Sequence, residues 1–292
     1  MRKRSHHFNN GRTLPFENPL IRWAGGKRSI VRKLTDFLPP AFGTYFEPML
    51  GSGALFFALR PESSVLADVN PELVNFYSAI KTAPASFYRA IHPLRASKAR
   101  YYRLRKTCPS SQLTRAVRFF YLIRLSWNAL YRVNKRGEFN VPFGGRCPKD
   151  LTGLSEILGA SRALRKARIL CGDFEATTAL AKPGDLVYFD PPYPKGASSD
   201  NGFARYHETG FTLEDHKRLS LHARTLAEKG VHVLITEAAT GKIRNLYRDD
   251  FQEQLVRSRS LIAASSRWRR EVYEAVFTSY PVANKGRRKK GE

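Results

Sequence analysis

Cysteine is scarce in this chain: three in 292 residues, Cys108, Cys147 and Cys171. An odd number, widely spaced and in no ligand pattern, excludes a disulfide framework and a zinc module. The seven histidines form no cluster, so no metal is expected. No apolar run approaches the roughly 18 residues of a membrane span. The basic start, Met1-Arg2-Lys3-Arg4, continues into His6-His7-Phe8-Asn9-Asn10 and not into the apolar core of a signal peptide. There is no internal repeat, so a solenoid is not expected. Acidic residues are also few, 25 against 50 Lys+Arg, a net charge of +25. That balance calls for a polyanionic partner, nucleic acid above all, and a cytoplasmic, nucleoid-associated location with no membrane contact.

What is present is enough for a sizeable core: 42% hydrophobic and 12% aromatic residues over a length that suits one large domain or a domain with an insert. The stretch that organises the chain is Asp190-Pro191-Pro192-Tyr193. It follows a Gly184-Asp185 turn and the apolar run Leu186-Val187-Tyr188-Phe189, so it sits where a buried strand ends. Ligands of open α/β sheets gather beyond such ends. Two prolines stop the strand and remove two N–H donors, leaving rigid carbonyls beside an acid and an aromatic ring. An exocyclic aromatic amine matches that set. Asp190 and a proline carbonyl accept its two N–H groups, and Tyr193 stacks on its ring and holds it in line with an electrophile.

A second anchor is Tyr45-Phe46-Glu47-Pro48-Met49-Leu50-Gly51-Ser52-Gly53, read as strand, glycine loop and then a helix over residues 54–59. Glycine at Gly51 and Gly53 lets a ligand approach the backbone. The next apolar strand, Ser64-Val65-Leu66-Ala67, ends in Asp68, the place of a ribose-binding acid in dinucleotide folds. Asn70-Pro71-Glu72 opens another helix, and Asp68 can also serve as a helix cap. Upstream, Arg22-Trp23-Ala24-Gly25-Gly26-Lys27 is a turn without P-loop spacing, followed by a helical pattern over 29–37.

Gly53 and Asp190 are too far apart for a bare βαβ succession, so a module is inserted between them. Residues 95–149 hold 14 Lys/Arg against a single acid, Glu138, interleaved with Tyr101, Tyr102, Phe119, Phe120, Tyr121, Trp127, Tyr131 and Phe139. Residues 115–125 are helical in period, and 127–145, rich in Asn and Gly, read as a hairpin or loop. Arginine and aromatics on loops suit phosphate contact, base-edge reading and wedging into a stack. Beyond the insert, residues 167–174 read as a strand ending in Asp173, with Phe174 placed either against an adenine ring or in the core. A mobile loop over 194–210, a Thr212-capped helix, a strand over 231–236 and strands near 254–256 and 272–277 around Arg267, Arg269 and Arg270 complete the chain.

The sum is a Rossmann-like sheet with an adenosine-type cofactor site, an amine site and a basic insert. The motifs resemble those of the Dam-type DNA adenine N6-methyltransferases, the alpha group with the class I methyltransferase fold. The resemblance spans about residues 19–280 and rests on the stretches quoted above, on Asp68-Val69-Asn70-Pro71, and on Asn128-Ala129-Leu130-Tyr131-Arg132-Val133-Asn134 with Gly137-Glu138-Phe139-Asn140-Val141-Pro142-Phe143-Gly144. It implies S-adenosylmethionine held by Trp23, Lys27, Glu47, Gly51, Gly53, Asp68, Asp173, Phe174 and Asp190. It also implies double-stranded DNA held by Arg22, Trp127, Asn128, Leu130, Arg132, Asn134 and Pro142. Of these, Arg132 and Pro142 correspond to readers of a target commonly GATC, and Trp127 to a wedge beside a flipped adenine. The catalytic set is Asp190, Pro191, Pro192 and Tyr193. The expected organisation is a discontinuous catalytic domain (19–84 and 160–281), an inserted, mainly helical DNA-recognition domain (85–159) and basic tails (1–18 and 282–292). A monomer is expected, with a cognate restriction endonuclease as a further partner. Other amines (cytosine N4, RNA, protein glutamine), or DNA binding without catalysis, are the alternatives. Three departures stand out: Arg22 where the family has Lys, a less Gly-rich segment around Trp127, and Thr236-Glu237-Ala238-Ala239-Thr240 in place of a Ser-Asn type, with Glu237 unexpected on a DNA-facing surface.

Overall fold

The computed structural model describes residues 19–193, 211–259 and 271–282. The N-terminal arm, the 194–210 loop, the arginine loop and the C-terminal tail lie outside them.

Residues 29–37 do not form one helix. They break into a 3-10 turn Lys27–Ser29, α1 (Val31–Leu34) and a second 3-10 turn Thr35–Phe37. From there the reading holds closely: β1 (Tyr45–Glu47), α2 (Ala54–Leu59), β2 (Ser64–Asp68) and α3 (Pro71–Thr82). Asn70 caps α3 by accepting the N–H groups of Glu72 and Leu73, and Pro71 fills the first turn, where no donor is needed. The insert is helical as expected: α4 (Pro84–Ile91), α5 (Lys98–Arg105), α6 (Gln112–Leu125) and α7 (Leu154–Leu164), with a 3-10 turn at Trp127–Ala129. β3 (Ala167–Cys171) ends before Asp173, which caps α8 (Phe174–Thr178). Then come β4 (Leu186–Phe189), α9 (Leu213–Glu228) with a Thr212/Asp215 capping box, β5 (His232–Ala238), α10 (Gly241–Arg244), β6 (Gln252–Arg259) and β7 (Glu271–Thr278).

The sheet order is β3-β2-β1-β4-β5-β7-β6. The first five strands in that order are parallel, and β7 pairs antiparallel with both β5 and β6. β2 and β4 are buried along their whole length, which explains their unbroken apolar runs. The order reverses at β1, flanked by β2 and β4. A ligand crevice belongs beyond the carboxyl ends at that switch point. α6 is buried nearly all round, through Phe119, Phe120, Tyr121, Leu122 and Ile123 among others. Phe120 stacks on Phe76 of α3, so insert and catalytic region share one core running from Leu20 to Tyr280.

Candidate active site

Strand periodicity sets the geometry. Alternate residues of β4 face opposite sides: Val187 and Phe189 enter the core under α9, whereas Leu186 and Tyr188 face the insert side. Asp190 continues the second set. On neighbouring β5 the same alternation turns Thr236 towards that side and Glu237 towards α9, and on β7 it turns Glu274 and Val276 beside Thr236.

These residues meet. The Thr236 hydroxyl donates to Asp190 Oδ1 at 2.8 Å and pairs with the Tyr188 hydroxyl at 2.9 Å. Lys27, from the Gly-Gly turn, places Nζ 2.5 Å from the same oxygen and donates to the Gly25 carbonyl at 3.0 Å. Its side chain is 4% exposed, and Nζ lies 4.9 Å from the Tyr193 ring centre and 3.8 Å from Glu274 Oε2. Burial, the largest influence, disfavours the ammonium. Asp190 and then Tyr193 and Glu274 outweigh it and hold Lys27 above its usual range. Pro191 is buried, Pro192 exposed, and Tyr193 40% exposed. Of the four residues expected from sequence, Asp190 and Tyr193 meet around Lys27, with Pro191 and Pro192 between them in the chain. Thr236 and Glu274 were not foreseen, because nothing local in β5 or β7 marks them and only the strand order brings them there; Tyr188, on β4 itself, was read only as part of an apolar run.

The glycine loop forms the other wall. Gly51 (φ 48°) and Gly53 (φ 66°) take left-handed conformations, and a Cβ on Gly51 would stand 2.9 Å from Trp23 Cδ1. Asp68 accepts the N–H groups of Gly51 at 3.0 Å and Asn70 at 2.9 Å, so it ties the loop to the start of α3; the cap itself is Asn70. Burial pushes the Asp68 carboxyl up, and those two N–H bonds pull against it. Val69 beside it is 68% exposed, an apolar surface next to an acid at a strand end. Glu47 is buried, accepts the Tyr45 hydroxyl at 2.8 Å, and is pushed up by burial to about 8. An acid and exposed apolar surface beside a glycine-containing loop fit the ribose and base of an adenosine group.

Phe174 departs from the adenine-facing reading. It is 3% exposed and packs edge-on against Phe189 and His222, with the Arg218 guanidinium 4.5 Å over its ring. The core alternative describes it. Asp173 caps α8 and pairs with Arg218 at 2.9 Å. Glu237 departs as well: it faces no DNA. It is 0% exposed, with Oε1 2.8 Å from Nδ1 of the equally buried His216 on α9.

The 127–145 segment is a hairpin-like loop closed by single bridges, Ser126 with Phe143 and Val133 with Phe139. Trp127 is 39% exposed, and its backbone N–H donates to the Pro142 carbonyl at 3.0 Å. Asn128 is exposed in a left-handed conformation (φ 52°), and Pro142 is exposed. Arg132 Nε donates to Asn140 Oδ1 at 2.6 Å. Asn134 has a turn role: its side chain accepts from the N–H groups of Arg136 and Glu138 and donates to the Glu138 carboxylate. Leu130 packs partly against the core. Tyr131 stacks on Trp23 at 5.9 Å, which fastens the hairpin to the glycine-loop wall. Arg22 is exposed; it and Arg124 are positive neighbours of Arg28, whose pKa is lowered by burial and then by these two charges. Sequence reading passed over Arg28 and Arg124 among many basic residues.

Among the described residues no group of His, Cys, Asp or Glu could hold a metal, and no helix is long and apolar enough to cross a membrane. The family model for D12 class N6 adenine-specific DNA methyltransferases matches residues 23–261. The chain is 34% identical over 272 residues to the type II methyltransferase M1.LlaDCHI of Lactococcus lactis subsp. cremoris, covering 90% of this chain and 95% of that one. It is 34% identical to a DNA adenine methylase of Vibrio cholerae serotype O1 (90% and 97% covered) and 32% identical to that of Escherichia coli strain K12 (89% and 95% covered). A sheet whose order reverses at β1, an Asp-Pro-Pro-Tyr stretch directly after β4 and these matches agree: the chain belongs to the D12 class N6 adenine-specific DNA methyltransferase family and methylates adenine in DNA.

Proposed function

We propose that this enzyme takes S-adenosylmethionine as methyl donor and a duplex site of GATC type as target, with the adenine turned out of the stack. The observation that carries the reading is Asp190. Among the described residues its donors, Lys27 and Thr236, both reach Oδ1, which leaves Oδ2 to accept an N–H of the 6-amino group. The Pro191 carbonyl takes the second N–H, and Tyr193 supports the base by stacking. When bound, S-adenosylmethionine supplies an electrophilic methyl on a sulfonium. Asp68 and Val69 hold its ribose and base, the Gly51–Gly53 loop admits it, and Trp23, Lys27, Glu47 and Asp173 complete the wall.

Trp127 fills the gap left by the adenine, and Arg132 and Pro142 read neighbouring base pairs, with Arg22, Asn128 and Leu130 beside them. Residues 19–84 and 160–281 act as the catalytic domain and 85–159 as the recognition domain, in a monomer. Similarity to a type II methyltransferase supports pairing with a cognate endonuclease. Asp190→Ala should reduce transfer at least about a thousandfold, the scale of losing an electrostatic contact made at the reacting centre, while the fold is retained. Near-normal turnover would remove Asp190 from the mechanism. Arg132→Ala should flatten the preference for the cognate site as well as weaken binding, by about 1–3 kcal/mol of discrimination; unchanged discrimination would place the reader elsewhere.

A further inference from the structure

Glu274 is the carboxylate of the site that the transfer chemistry leaves without a role. It lies on β7, 7% exposed, on the face it shares with Thr236 and Asp190. The hydroxyls of Ser258 and Tyr193 bond to its carboxylate. Its Oε2 is buried with no hydrogen-bond partner among the described residues, 3.8 Å from Lys27 Nζ. A buried carboxylate oxygen left that way is costly unless a donor can reach it. The nearby ammonium is engaged by Asp190 at 2.5 Å, and that carboxylate also has to receive the target amine. A shift of Nζ of about one ångström would exchange one carboxylate for the other.

We propose that Glu274 is a positioning residue for methyl transfer. In this reading, which rests on the adenine site at Asp190, it anchors the Tyr193 hydroxyl beneath the base and takes up Lys27 from Asp190 Oδ1 as the amino group docks, leaving the Asp190 charge to the group held at Oδ2. No bond to Glu274 forms or breaks, and the single positive charge of Lys27 stays between two carboxylates throughout. The charge of Glu274 matters more than its volume. Gln would still accept the Tyr193 hydroxyl but would hold an ammonium far less well.

The test is single-turnover transfer on cognate duplex by the full-length wild type, Glu274→Gln and Glu274→Asp, with cofactor affinity and melting temperature measured on each. Formation of N6-methyladenine by the wild type is checked first, so a failure of the adenine reading is seen separately. Glu274→Gln should transfer about tenfold or more slowly, with cofactor affinity within about twofold of wild type, and Glu274→Asp, which keeps the charge, should fall between them. Transfer by Glu274→Gln within twofold of wild type overturns the proposal. So does an equal loss in both variants accompanied by weakened cofactor binding, the signature of a merely structural residue. If Glu274→Gln does not fold, Glu274→Asp decides: slowed transfer at unchanged cofactor affinity supports the role, and wild-type transfer removes it.

Discussion

Glu47 stands on β1 with a carboxyl that burial pushes up to about 8, although the Tyr45 hydroxyl favours its charged form. In the unfolded chain the group titrates near 4.5. The folded state therefore holds more protons than the unfolded state between those values, and stability falls as pH rises through that window. The change should amount to a few kcal/mol. Urea unfolding at several pH values should show the decline, and Glu47→Gln should flatten it; an equal slope in the variant would mean that Glu47 is not the group responsible. Gly51 makes a different demand. With φ 48° and Trp23 2.9 Å from a would-be Cβ, Gly51→Ala should cost about 1–3 kcal/mol and weaken cofactor binding. A variant as stable as wild type would show that the loop conformation is not required. At this scale the sequence was most legible where chemistry is local: Asp190, the prolines and the glycines announce themselves. It was least legible for Thr236 and Glu274, whose roles depend on which strand lies next to which.

Among the elements, β1, α2, β2 and α3 were readable because each carries its own punctuation: glycines at the loop, then Asn70-Pro71 at the α3 cap. The insert hid α5, whose sequence mixes basic and aromatic residues round the helix and buries only Tyr101. Phe174 was undecidable locally, since the same residue suits a core or a ligand, and α9 decides it by laying Arg218 over the ring. α9 also resolves Glu237. The acid looked misplaced in an apolar strand because its partner, His216, lies 21 residues earlier on the helix that packs over β5. Removing one member of a buried pair strands the other, so Glu237→Ala should destabilise by about 3–5 kcal/mol. A loss below about 1 kcal/mol in urea unfolding would mean that the pair does not fasten α9 to β5.

The whole molecule combines a net charge of +25 with an insert that shares its core with the cofactor-side helices. In the proposed function, charge governs affinity for DNA and the hairpin governs choice among sequences. With about six to ten phosphates contacted, affinity for any duplex should fall about 10³- to 10⁵-fold between roughly 50 and 200 mM salt. A fall of less than tenfold would mean that phosphate contacts are few. The central claim joins the Asp190 site to the Arg132 hairpin: one centre that methylates adenine N6, directed to one sequence. The most direct measurement incubates the protein with tritiated S-adenosylmethionine and duplexes carrying GATC or a scrambled site, then identifies the labelled nucleoside. Label on N6 of adenine in the GATC duplex alone is the predicted result. Equal label in both duplexes would contradict the assigned target, and label on another base, or none, would contradict the site itself.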